Sequence, residues 1–198
     1  MKNRRFKCHA QRGITLVESL VTMAILVILL ALAMPSYKSS IESNRRTVYV
    51  NQLSEDLAFA RSEAIKRNVR VEVCPSTTGT SCAVSGSSDW ATGWIVFVDL
   101  NASTDWNAGE PILRKHEALT LPANWVAQDN ATNGHYVMFK PTGEAKAVRV
   151  CMMLASDIAN CWGGDPSNSS RGGMYWFTGQ YANVVVSDVG RVRIEISK

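Results

Sequence analysis

The chain has 198 residues, 46% of them hydrophobic, and carries 21 Lys+Arg against 17 Asp+Glu, a formal charge of +4. That length holds one domain with a real core, or one domain plus an appendage. Ordinary glycine and proline contents, 13 and 6 residues, exclude a collagenous or low-complexity chain.

Residues 1–13 read MKNRRFKCHAQRG. They hold Lys2, Arg4, Arg5, Lys7 and Arg12 and no acid. From Ile14 to Met34 the chain is almost wholly apolar. At about 1.5 Å per residue this run reaches roughly 31 Å as a helix, enough to cross a bilayer core. The basic block before it sets a cytoplasmic N-terminus, so the remainder is expected outside the cytoplasm. A cleaved secretory signal would end in a small-residue site. Ala33-Met34-Pro35-Ser36-Tyr37 is a poor match. Glu18 lies inside the apolar run. A carboxylate near a membrane interior costs at least about 2.5 kcal/mol and marks a function unless it lies at the interface.

Past Pro35, which removes one helical hydrogen bond, the pattern turns amphipathic. Tyr37, Ile41, Val48, Leu53, Leu57, Ala60 and Ala64 recur at spacings near three, four and seven, with charged residues between them. The pattern predicts a helix to about Asn68, with its apolar stripe packed on a head. The period then falls to two. Val69, Val71 and Val73 alternate with Arg70 and Glu72, which reads as a half-buried strand. Further strands are predicted over 93–99, 112–115, 135–140, 147–154, 174–177, 183–187 and 191–196. Turn residues lie between them, as in Pro141-Thr142-Gly143 and Asp188-Val189-Gly190. One long helix followed by many short strands predicts an α+β chain with an antiparallel β-sheet head.

Asp99, Asn101, Ser103, Asp105, Asn107 and Glu110 fall on positions 1, 3, 5, 7, 9 and 12 of a calcium-loop template. Thr104 stands where that template needs glycine, and a polar hairpin loop explains the same residues without metal. No GxSxG, HExxH or phosphate-cradling glycine loop is present, so neither catalysis nor a cofactor is expected. Trp90, Trp94, Trp125 and Trp176 are expected to fill core, while Trp106 and Trp162 sit in polar loops and are expected to be exposed. At the C-terminus, Gly190-Arg191-Val192-Arg193 puts Arg191, Arg193 and Glu195 on one strand face, the two arginines about 6.6 Å apart. Each arginine can reach a phosphate, with Lys198 nearby in sequence. A hairpin glycine before a solvated strand face, or a salt bridge between subunits, explains the same residues.

The basic leader, Gly13, the run Ile14-Thr15-Leu16-Val17-Glu18 and the apolar helix together resemble the class III leader of type IV pilins and type II secretion pseudopilins. The helix end Leu57-Ala58-Phe59-Ala60-Arg61-Ser62-Glu63-Ala64, Cys74-Pro75-Ser76, the strand 93–99, Gly109-Glu110-Pro111-Ile112-Leu113-Arg114 and the segment 186–193 resemble GspH/FimT-type minor pilins. The resemblance implies cleavage after Gly13 by a prepilin peptidase and N-methylation of Ile14, where the family more often has Phe. It implies that Glu18 neutralises the terminal amine of a neighbouring subunit during assembly. It divides the chain into a leader (1–13), a transmembrane or filament-core helix (14–34), its amphipathic continuation (35–68) and a β-rich head (69–198). The expected function is that of a minor pilin of a type IV pilus, near the tip or in the initiating complex. The alternative is the H-type pseudopilin of a type II secretion system. Expected partners are major and minor pilins, the prepilin peptidase and the bacterial inner membrane, which holds the chain by a single pass with a periplasmic head until assembly. The Gly190–Arg193 segment resembles the GRxR tail with which FimT-type pilins bind DNA in natural transformation, which makes DNA a further expected partner.

Cleavage changes the totals. The leader takes five of the 21 basic residues and none of the 17 acidic ones, which leaves 16 against 17 and a net charge of −1. Cys8 goes with the leader. Cys74, Cys82, Cys151 and Cys161 remain in a compartment expected to be oxidising. Four cysteines allow three pairings. Cys74–Cys82 and Cys151–Cys161 are favoured because each closes a short loop between strands. A zinc site, the rival, lacks tight C-x-x-C pairs.

Overall fold

The computed structural model describes residues 13–83, 89–121, 125–129, 135–154 and 182–196, without the side chains of 32–39 and 154. Helix α1 runs Leu16–Arg67 and is followed by eight strands: β1 (Arg70–Pro75), β2 (Trp94–Asp99), β3 (Ile112–His116), β4 (Trp125–Asp129), β5 (Val137–Phe139), β6 (Val148–Leu154), β7 (Ala182–Val186) and β8 (Val192–Ile196). The predicted strand 174–177 lies outside the described residues. The chain divides into two compact units, Met1–Ile41 and Glu42–Lys198.

In the first unit Thr15 starts the helix. Its Oγ1 accepts from the Glu18 backbone N–H at 3.2 Å, and its carbonyl accepts from Ser19 N at 3.1 Å. These bonds serve backbone donors that have no partner within the helix. The apolar side chains that follow are exposed, from Ile14 at 77% to Leu30 at 55%. Among the described residues no helix is long and apolar enough to cross a membrane.

In the second unit α1 becomes amphipathic. Val50, Leu53, Leu57, Ala60 and Ala64 are fully buried. Their alternating three- and four-residue spacing keeps them on one helical face. Val48, expected in this stripe, is 49% exposed, and Val50 takes its place. The spacing explains the difference. Counting back from Leu53 by three and then four reaches Val50 and Arg46, not Val48. Arg46 is buried, with its guanidinium 4.6 Å from the centre of the Trp125 ring. The helix ends at Arg67, where Asn68 takes a left-handed φ of 55° and donates from N–H to the Ile65 carbonyl.

The strands form two antiparallel sheets of four, in the orders β3-β2-β1-β5 and β4-β6-β7-β8. One core joins the helix stripe to both: Val71, Val73, Trp94, Val96 and Val98 from the first sheet, and Val148, Val150, Met152, Val184 and Val186 from the second. Strand alternation puts Glu72 and Cys74 on the other face of the first sheet. That face is covered too. Cys74, Ile95 and Phe97 form a second cluster with Cys82, Trp106, Ile112 and Tyr136 packed on it. Trp106, expected to be exposed, is therefore half-buried, and its Nε1 donates to the Glu110 carbonyl at 2.9 Å. The loop after β2 folds back over the sheet. β4 was not predicted, because Trp125-Val126-Ala127-Gln128-Asp129 has no clean alternation.

Candidate functional site

The residues expected to be processed, Gly13 and Ile14, lie just before α1. Gly13 and Ile14 are exposed, and Glu18 sits in the first helical turn, exposed and three residues after the capping Thr15. Negative charge is favourable at that end of a helix. This local role stands beside any role in assembly.

The tail segment is built differently. Gly190 is buried with φ +72°, and a Cβ there would overlap the Gly143 carbonyl oxygen. Arg61 on α1 ties the junction together. Its Nε donates to Gly143 O and its Nη2 to Val189 O, each at 3.0 Å. Ala145 N donates to Asp188 O at 3.0 Å. Helix, β5–β6 turn and β7–β8 turn therefore meet at one point, and only glycine fits there. Arg191 and Arg193 are exposed beyond it. Arg193 Nη2 lies 2.7 Å from Glu195 Oε1, so one of the two arginines is paired within its own strand. Lys198 lies outside the described residues.

The sheet register adds a basic residue. Arg149 on β6 pairs with Val185 on β7, which pairs with Arg193 on β8. At about 4.8 Å per strand, Arg149 and Arg193 stand roughly 9.6 Å apart on one sheet face.

Cys74 and Cys82 form a disulfide with a Cα–Cα distance of 5.6 Å. Cys151 is also disulfide-bonded. Cys161, its expected partner, lies outside the described residues, as do Trp162 and Trp176.

The loop from Asp99 to Glu110 is held closed by its own hydrogen bonds. Glu110 accepts from Leu100 N and Asn107 N, each at 2.9 Å. Asp99 Oδ1 accepts from Ser103 N at 3.2 Å, and Asn101 Oδ1 accepts from the same N–H at 2.9 Å. Ser103 Oγ donates to the Asp105 carbonyl. Among the described residues no three His, Cys, Asp or Glu side chains are placed to hold a metal ion. The side chains of Asp99, Asn101, Ser103 and Glu110, on calcium-template positions, serve as hydrogen-bond partners within the loop.

Glu72 was expected on a solvent face and is completely buried, with neither carboxyl oxygen hydrogen-bonded. Both faces of its sheet are covered, which simple alternation does not reveal. Burial, reinforced by the neighbouring Asp99 carboxylate, pushes its pKa up to about 8. Arg70, opposite Asp99 across the strand pair and 3.7 Å from its Oδ2, works in the other direction.

A leader motif on an exposed apolar helix, joined to a helix-and-two-sheet head, is the build of a pilin-like protein. Residues 49–171 match the family described as Type II transport protein GspH, and the chain belongs to it. Residues 8–34 match the prokaryotic N-terminal methylation motif. The chain is 28% identical over 193 residues to the pilin-like protein PilA1 of Thermus thermophilus, covering 93% of this chain and 99% of that one. Among solved structures it resembles the type IV minor pilin FimU of Pseudomonas aeruginosa at 17% identity and a TM-score of 0.50, covering 77% of this chain and 89% of that one. The minor pseudopilin EpsH of the Vibrio cholerae Type 2 Secretion System aligns at 8% identity and a TM-score of 0.46, over 77% of this chain and 97% of that one. These relatives are described as pilins or pseudopilins.

Proposed function

We propose that the protein is a minor pilin of a type IV pilus, acting near the tip or in the initiating complex. In this reading a prepilin peptidase cleaves after Gly13, Ile14 is methylated, and the helix 14–34 anchors the chain in the inner membrane with the head outside the cytoplasm. Assembly then moves that helix into the filament core among other pilins. The observation that carries the reading is the methylation motif and the GspH-family head on one chain, joined by a helix whose first apolar side chains are exposed. Lipid or neighbouring helices would cover those side chains. A carboxylate in such surroundings needs a cation, which a neighbour's terminal amine would supply to Glu18. Glu18→Ala should leave cleavage intact and remove the protein from sheared filaments. Normal incorporation of the variant would contradict the assigned role. The family description favours a second reading, the H-type pseudopilin of a type II secretion system. A deletion strain separates the two, by loss of piliation or loss of protein secretion.

The exposed arginines Arg191 and Arg193 give the head a surface for DNA phosphates, through which the pilin would take up DNA in natural transformation. The purified unit 42–198 should shift duplex DNA without sequence preference. Two or three phosphate contacts give a log–log salt slope of roughly −2 to −3. Replacing Arg191 and Arg193 by Gln should abolish the shift. A shift that survives the double substitution would sink the site, and no shift at low salt would sink DNA binding by the head.

A further inference from the structure

Among the described residues β8 is an edge strand that pairs on one side only, with β7. Its sequence is Val192-Arg193-Ile194-Glu195-Ile196. This pattern is self-complementary when read antiparallel about its centre. With two copies of Ile194 opposite each other, Arg193 faces Glu195 of the second copy, and Glu195 faces Arg193 of the second copy. Val192 then faces Ile196 of the second copy, and Ile196, 44% exposed in the single chain, gains an apolar neighbour. Opposite charges directly across a strand pair favour pairing, and like charges disfavour it.

Other registers match less fully. A slip by two residues puts Glu195 against Glu195, or puts Arg193 against Arg193 with Arg191, outside β8, facing Glu195. A slip by one residue sets the charged face of one strand against the apolar face of the other. The edge is also presented in a fixed conformation. Buried Gly190, wedged against Gly143 and held by Arg61, sets the turn from which β8 leaves. Within a single chain Arg193 and Glu195 pair with each other at an exposed site, an arrangement that contributes little and yields readily to a cross-strand partner.

We propose that the free edge of β8 is a self-pairing surface, on which a second copy of this chain adds its own β8 antiparallel with Ile194 at the two-fold centre. The partner is another molecule of the same protein, because the charge order complements itself. The inference does not rest on the nucleic-acid reading. It gives Arg193 a protein partner, so pairing and DNA compete for that residue.

The test is a charge swap in the full chain in detergent micelles, followed by sedimentation equilibrium. The wild-type chain should form a dimer. Arg193→Glu and Glu195→Arg should each weaken it by about tenfold or more, because each reversal sets like charges opposite twice. The double variant carrying both reversals should restore the dimer, since its pattern is again self-complementary. A monomer up to about 100 µM, a dimer indifferent to either reversal, or no recovery in the double variant would overturn the proposal. Near-UV circular dichroism of the buried tryptophans reports folding. Should a single reversal disturb it, an Ile194→Cys chain that also carries Cys8→Ser decides under mild oxidation. A covalent dimer on a non-reducing gel supports the pairing, and its absence overturns it.

Discussion

Two residues carry more of the fold than their types suggest. Gly190 holds a left-handed backbone against the Gly143 carbonyl and the Arg61 side chain. An alanine there pays the strain of positive φ and displaces backbone at once. Gly190→Ala should lower stability by about 2–4 kcal/mol, measured by urea denaturation. A change below about 0.5 kcal/mol would mean that the junction is slack. Glu72 makes a pH prediction. Its folded pKa of about 8 lies above the ordinary 4.5, so the folded chain holds a proton that the unfolded chain releases. Its contribution is therefore most favourable below about pH 4.5, falls as pH rises towards about 8, and is constant beyond. At roughly 1.4 kcal/mol per unit, the loss across that window amounts to a few kcal/mol. Glu72→Gln should flatten this slope between pH 5 and 8 and stabilise the head at the alkaline end. An unchanged slope would place the titration elsewhere. The sequence displayed Gly190 as a turn residue but not the carbonyl it touches. It displayed Glu72 as one of an alternating pair. Its burial depends on a loop some 30 residues away folding over the sheet, which no local period encodes.

Elements were more legible than the contacts between them. The helix was expected to end near Asn68 and ends at Arg67, because the apolar period changes there from helical to alternating. Of the expected stripe, Ile41 and Val48 are exposed, and Val48 yields a paired test. Leu57→Ala should cost about 2–5 kcal/mol, because the side chain is fully buried in the shared core. Val48→Ala should change stability by less than about 0.5 kcal/mol. Thermal melts of the two variants settle whether the helix presents the face described. The Cys74–Cys82 bridge closes a short loop, with a sequence separation of 8. Cys74→Ser should cost roughly 2–3 kcal/mol by loop-closure entropy. Seven of the eight strands were legible from alternation and turn residues. Their partition into two sheets was not, since long-range pairing leaves no trace in a single strand.

For the whole molecule, charge is unevenly placed. The full chain is formally +4, but residues 1–13 hold five basic residues and no acid, so nucleic-acid binding by the head would have to come from a local patch. Arg191 and Arg193 are the exposed basic residues at the β7–β8 corner on which the proposed patch rests, and Glu195 opposes it. The leader motif and head strands were readable as pilin-like because both are local patterns. The proposed pairing edge was not, since among the described residues β8 stands at an edge only once the sheet order is known. The central claim is that the chain is processed at Gly13 and built into a filament. Mass spectrometry of sheared, purified filaments tests it most directly. The account predicts a chain starting at an N-methylated Ile14. A chain that still carries residues 1–13, or filaments that lack the protein altogether, would contradict it.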